Sequence, residues 1–340
     1  MLLNAYCTHR ALPPLDFPHV LRSRRDRREP RLAEHLDGFM GFVMDGGKRP
    51  MTAVRYHVLQ HIERVQWQVA LEVEDAHRAA FAAWAQAANA IVFLPDATVR
   101  TPSGAVLVDP RTGDPEPGAD APHPADASAR KERTVARLQS LGVAVVASLP
   151  PVAGEGEVLL RDTSAITARC LALLACAVRA ESLASGDALS AAEVATRLPG
   201  ATFAMSPRER TFFEAEAPEP QEVTNHVWRY ESLATLLWSV GALADLPMPT
   251  GLCDVPTIAR LVLAERGAVF AAAASLRPAS ELLDALDLHY RLHWATTSAR
   301  TKGAPPPAGL DPGVVFERHY ALNWLTCFQD AAWDDVDTPT

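Results

Sequence analysis

Lysine is nearly missing: of 32 basic residues in 340, only Lys48, Lys131 and Lys302 are lysine and the rest are arginine. Beside so much alanine this is the signature of a GC-rich bacterial genome, so an arginine cluster carries less functional weight than its charge suggests. Cysteine is scarce, odd in number and scattered: Cys7, Cys170, Cys176, Cys253 and Cys327 make no C-x-x-C spacing, which reads as reduced thiols in a cytosolic protein. The N-terminus has neither a basic stretch nor a continuous apolar run of the secretory kind. The longest apolar stretch, Cys170 to Val178, is far short of the roughly 20 residues that span a bilayer. A cytoplasmic protein without a membrane segment is the expectation. An excess of positive charge is missing too, since the net charge is -9, and with it any general attraction for nucleic acid or anionic membrane.

The familiar catalytic signatures are also absent. Asp45-Gly-Gly-Lys-Arg lacks the spacing of a phosphate-binding loop, no G-x-G-x-x-G follows a strand and no G-x-S-x-G elbow occurs. Ser128-Ala-Arg-Lys131 fits S-x-x-K but has no companion motif.

What is present is a globular balance, 48% hydrophobic and 21% charged, over a length that predicts two domains. Residues 109–129, DPRTGDPEPGADAPHPADASA, are rich in breakers with almost nothing to bury and predict a linker between domains 1–108 and 130–340. Before it, periodicity predicts the order ββαβαββ. Leu3 to Thr8 and Phe39 to Met44 are short apolar strands around a charged, irregular Arg22 to Arg31; a helix from Thr52 carries Val54, Val58, Ile62 and Val65. Trp67 to Val73 alternates as a strand, Asp75 caps a second helix, and Ile91 to Leu94 with Ala105 to Val108 form a hairpin around Pro102-Ser-Gly. Two helices on one face of a mainly antiparallel sheet, in a ferredoxin-like arrangement, is the economical packing. Residues 130–340 read as about seven helices, with starts at Ser190-Ala-Ala-Glu193, Ser206-Pro-Arg-Glu209 and Asp311-Pro312, one helix over Pro256 to Glu265, and a short strand or buried strap over Val143 to Leu149. The fold class expected is α+β, a small α/β domain followed by a larger helical one.

Chemistry-bearing residues gather in the last sixty positions. In the helix Pro278 to Arg300, Leu282, Ala285, Leu286, His289 and His293 share one stripe, Leu283, Tyr290 and Trp294 a second, and Asp284, Asp287 and Arg291 a third. A helix apolar on two faces is mostly buried, so its polar residues need partners, and Asp287 can reach Arg291 at i, i+4. The next helix brings Glu317, Arg318, His319, Asn323 and Trp324 before Trp333-Asp-Asp335; an earlier one brings Trp228, Arg229 and Glu231. Aromatics beside carboxylates and histidines make a plausible ligand pocket.

The segments LLDALDLHYRLHWA, GVVFERHYALNWL and WDDVDTPT, with WRYESLATLLWSVGAL and RKERTVARLQSLGV, resemble a bacterial domain family known only as a domain of unknown function, over roughly residues 130–340. The resemblance implies no activity and assigns no residue a role.

Two kinds of chemistry fit these residues. His289 and His293 have the i, i+4 spacing of zinc ligands, with His319 as a third, although Tyr290 stands where H-E-x-x-H has its general base. The alternative is a set of hydrogen-bonded core histidines. Asp284 with Asp287, or Asp334 with Asp335, could form an acid/base pair; ion pairing with Arg291, Arg318 or Arg229 is the plainer use. His57 and His61 read as an exposed helical face. The expectation is a non-enzymatic protein that binds a small ligand or a protein partner and takes no cofactor. A metal-dependent hydrolase using His289, His293 and His319 is the alternative.

Overall fold

The computed structural model describes residues 1–264 and 268–340. Contacts divide the chain into two compact units, residues 1–129 with 153–157, and residues 130–152 with 158–340. Their elements are of the α+β class, strands in the first unit and helices throughout the second.

In the first unit the chain runs β1 (Leu2–Cys7), β2 (Val20–Asp26), α1 (Pro30–Met44), α2 (Ala53–Arg64), β3 (Trp67–Glu72), α3 (Arg78–Ala87), β4 (Ala90–Phe93), β5 (Val99–Arg100) and β6 (Val106–Val108). The strands form one antiparallel sheet in the order β2-β3-β1-β4-β5-β6. Because successive side chains of a strand point to opposite faces, β1 feeds two cores. Leu3, Ala5 and Cys7 meet Phe81 and Trp84 of α3, while Tyr6 meets Leu36 and Phe39 of α1 and Val58 and Ile62 of α2.

The helices therefore cover both faces of the sheet, where one face was expected. A ferredoxin-like unit runs β-α-β-β-α-β; here no helix joins β1 to β2, and α1 and α2 follow in succession. Phe39 to Met44 is the last part of α1 instead of a strand. Leu32, Leu36, Phe39 and Val43 are its buried residues, and that stripe is visible only when the charged start of the helix is included. The arginines of Arg22 to Asp26 belong to β2, which lies at the edge of the sheet, where charge guards against pairing with another chain. β4 and β6 do not pair directly, because the two-residue β5 lies between them.

Residues 109–129, expected as a linker, count with the first unit. Ala121 is buried in the α1/α2 core and residues 125–129 already belong to α4 (Ala125–Ser140).

The second unit continues with α5 (Thr163–Ser185), α6 (Ala191–Arg197), α7 (Pro207–Glu214), α8 (Pro220–Ser239), α9 (Val255–Leu263), α10 (Ala268–Ala273), α11 (Ala279–Thr301) and α12 (Pro312–Leu325). The described residues of the second unit hold nine helices counting α4, against about seven expected: α6 and α7 start at the expected Ser190 and Ser206, α10 is the helix without a counterpart in the expectation, and the expected end of α9 at Glu265 lies outside the described residues. Ser190 and Ser206 make complete capping boxes with Glu193 and Glu209, and Asp311 accepts from the backbone of Gly313 and Val314. Val143 to Leu149 has no strand pairing; its two end residues are buried. Of the described helices, α5 alone is long and apolar enough to cross a bilayer, yet 67% of its most apolar window is buried, so its surface is covered by protein. It packs on α8, α8 on α12, and α12 on α11.

The helical assignment of residues 39–44 predicts which changes matter. Leu36→Ala should cost about 2–5 kcal/mol in urea unfolding, as a buried aliphatic truncation does, while Asp37→Ala on the exposed face stays within about 0.5 kcal/mol. Equal effects at the two positions would contradict the stripe.

Candidate functional site

The polar residues of α8, α11 and α12 are held mainly by arginine–carboxylate pairs. Within α11, Arg291 Nη2 and Nε reach the two oxygens of Asp287 at 2.7 and 3.0 Å, both side chains fully buried, and Nη2 also donates to the carbonyl of Pro150 at 3.2 Å. Arg318 of α12 meets Glu231 of α8 at 3.3 Å through both Nε and Nη2, and its Nη1 donates to the carbonyl of Pro247 at 2.6 Å. The other oxygen of Glu231 accepts from the backbone N–H of Cys253 at 2.6 Å. Arg229 Nη1 lies 3.2 and 3.0 Å from the oxygens of Glu317, which also accepts from the Ser232 hydroxyl at 2.6 Å. Arg229 lies over the faces of Tyr320 and Trp333 as well.

The two carboxylate pairs raised by the sequence do not form sites. Asp284 is half-exposed and takes Arg130 and Arg133 at 3.1 Å each, while Asp287 is fully buried with Arg291. Asp334 accepts from Ser206 Oγ at 2.5 Å and from the backbone of Arg208 at 2.9 Å, so it anchors the start of α7; Asp335 is exposed. Asn323 donates to the carbonyl of Asp337 at 2.8 Å, Trp324 packs edge-on against Trp333, and Trp294 packs into the small core of Leu288, Leu292 and Val315.

The three histidines divide. His289 donates from Nδ1 to the carbonyl of Ala285 at 2.8 Å, its Nε2 is buried without a partner, and burial pushes its pKa down to about 4. His293 and His319 face each other Nδ1 to Nδ1 at 3.0 Å, so one donates and the other accepts through an unprotonated nitrogen. Burial first, then the Arg300 guanidinium, holds His293 down at about 4; burial and its two neighbouring histidines hold His319 well below the usual histidine range. Among the described residues, no group of three His, Cys, Asp or Glu side chains is placed to hold a metal ion.

Residues of α8, α11, α12 and the loop before α12 line a cleft of about 790 Å³. Four of the sequence-predicted residues line it: Trp228, Arg229, His293 and Glu317. Sequence reasoning missed Asn225, Thr296, Thr297, Arg300, Gly313 and Phe316. Helical spacing could have found them. Asn225, Trp228 and Arg229 are i, i+3 and i+4 on α8, His293, Thr296, Thr297 and Arg300 run through i+7 on α11, and Gly313, Phe316 and Glu317 are i, i+3 and i+4 on α12. Gly313 is needed for proximity: a Cβ there would stand 2.6 Å from the Trp228 ring.

The first unit holds a separate histidine group that corrects the expected exposed face. His57 and His61 are buried. His57 Nδ1 lies 2.8 Å from Asp120, and His61 Nε2 donates to the carbonyl of Tyr6 at 3.0 Å. The partner of His57 comes from the stretch expected as a linker, so local spacing on α2 could not reveal it.

These observations define a helical domain with arginine–carboxylate pairs in its core and one aromatic-polar cleft between three long helices. Residues 130–336 match the family described as Domain of unknown function (DUF4272), and the chain belongs to that family. The match begins at Arg130, where the second unit begins. No curated protein and no solved structure matches the chain.

Removing one partner of a dry ion pair leaves the other charge buried. Arg291→Met should therefore cost about 3–5 kcal/mol in urea unfolding, and Asp287→Leu/Arg291→Met together much less; a single change as mild as the double would contradict the pairing. The histidines set a pH dependence. The folded pKa values of His289 and His293, about 4, lie below 6.5, so between these pH values the unfolded chain binds more protons than the folded one. Stability should be full above about pH 6.5 and fall as pH drops towards 4, with a shallower fall in His289→Gln. Urea midpoints at pH 7 and pH 5 measure it.

Proposed function

We propose that this is a non-enzymatic binding protein of the bacterial cytoplasm whose ligand site is the cleft between α8, α11 and α12. The observation that carries the reading is the division of labour among the polar residues. Asp287, Glu231 and Glu317 are each engaged by an arginine, so they hold helices together and offer no free base. The cleft keeps the exposed Phe316, the partly buried Trp228, and several donors, in a volume within the usual range of about 300–1,000 Å³ for small-molecule sites. The thiols fit the compartment: all five cysteines are free.

The metal-dependent hydrolase is less well supported. It needs nitrogens of His289, His293 and His319 on one ion, but among the described residues no such group of three is placed to hold one, and His293 and His319 bond each other. A metal-free triad is no better supported, because the group behind His293 is an imidazole where a carboxylate would orient and stabilise the base.

A thermal-shift screen of small organic molecules at pH 7.5 tests the reading. Ligands that raise the melting temperature of the wild type should lose that effect in Trp228→Ala and in Gly313→Ala, with each variant's folding checked by circular dichroism. Hits indifferent to both variants would place binding elsewhere, and turnover of any hit would overturn the non-enzymatic assignment.

A further inference from the structure

Charge and donor inventory go further than the presence of a cleft, and they rest on the cleft being the ligand site. Glu317 is the only carboxylate among the described residues that line it, and Arg229 and Ser232 already engage it. Both bonds from Arg229 to Glu317 leave from Nη1; its Nε and Nη2 have no hydrogen-bond partner among the described residues, and neither atom is sealed from solvent. Those two nitrogens form the edge of a guanidinium that matches a carboxylate with two parallel hydrogen bonds. The Trp228 indole N–H also lacks a partner among the described residues, and Arg300 makes no ion pair there. Charges in the lining sum simply: Arg229 and Glu317 cancel, and Arg300 leaves one positive charge. His293 adds none at neutral pH, because burial keeps its ring uncharged. Trp228 and Phe316 supply aromatic surface beside these donors, and a flat ring stacks or packs edge-on against such groups.

We infer that the cleft selects aromatic monocarboxylates, with the carboxylate on the free edge of Arg229, the charge balanced by Arg300, and the ring against Trp228 and Phe316. Donors in excess of acceptors disfavour a cationic ligand, and a single uncompensated positive charge disfavours a dianion.

Isothermal titration at pH 7.5 with 2-naphthoate, its neutral isostere 2-naphthamide, and 2-naphthyl phosphate tests this. The carboxylate should bind the wild type at least about tenfold more tightly than the amide, a gap expected when a hydrogen-bonded charge is satisfied. Raising the salt concentration should narrow that gap. Arg300→Gln should shrink the preference by severalfold. Arg229→Gln/Glu317→Gln, which removes two cancelling charges without leaving either buried alone, should abolish it while retaining amide binding. Equal affinity for acid and amide, a preference untouched by either variant, or tighter binding of the phosphate would overturn the inference. If naphthoate fails while neutral molecules still bind in a manner dependent on Trp228, the carboxylate assignment falls and the cleft remains the site. If nothing binds there, both fall.

Discussion

Dry arginine–carboxylate pairing is the interaction on which the helical unit depends. Arg130, Arg291 and Arg318 are among its largest fully buried side chains, and a guanidinium taken out of water needs its donors satisfied. Arg318 ties α12 to α8 and also reaches the carbonyl of Pro247 in the loop that follows α8. Arg291 ties α11 to the strap at Pro150. Apolar packing of α5 against α8 supplies the nondirectional part of the stability, but it leaves the rotation of α11 and α12 loosely determined, since both are apolar on more than one face. The pairs choose the rotation. Only arginine could do this, because its planar fork bonds a carboxylate with one edge and a carbonyl with a remaining nitrogen, whereas lysine offers a single strongly hydrated ammonium.

That role bears on how the composition was read. An arginine-rich, lysine-poor sequence invites the explanation that codon usage set the count, an explanation that speaks to abundance alone. It does not account for placement. Asp287 and Arg291 at i, i+4 were legible because both partners lie on one helix. Glu231 with Arg318 and Arg229 with Glu317 were legible only as a set of candidates, because the partners are 87 and 88 residues apart and no local spacing joins them. The same distinction separates the correct and incorrect parts of the fold. Capping boxes at Ser190 and Ser206 were readable because their chemistry spans four residues. The side of the sheet that each helix covers was not, because it follows from β1 lying in the interior of the sheet, a fact of long-range pairing.

Local signals also misled where a short apolar run was cut from its context. Phe39 to Met44 has strand composition, and only the i, i+4, i+7 continuation back to Leu32 shows a helix. His57 and His61 seemed exposed for the opposite reason. Their helix has an unremarkable polar face, and the residues that cover it lie in a Pro/Gly-rich stretch whose composition argued for solvent. Breaker-rich sequence disfavours helix and strand over most of 109–124; it does not exclude packing, as Ala121 and Asp120 show.

Burial, finally, explains why the cleft differs from the core a few ångströms away. A buried arginine must satisfy as many donors as geometry permits, and even Arg291 leaves its Nη1 without a partner. At the cleft the requirement relaxes, because water can solvate what protein does not. Arg229 stands at that border: one nitrogen is committed to Glu317, and its guanidinium lies over aromatic faces that keep it fixed. An arginine held rigidly by one side loses little conformational freedom when its other edge gains a partner, so in the proposed site the interaction that fixes the helices would also preorganise recognition. On that proposal, structural and recognition roles are two edges of one side chain.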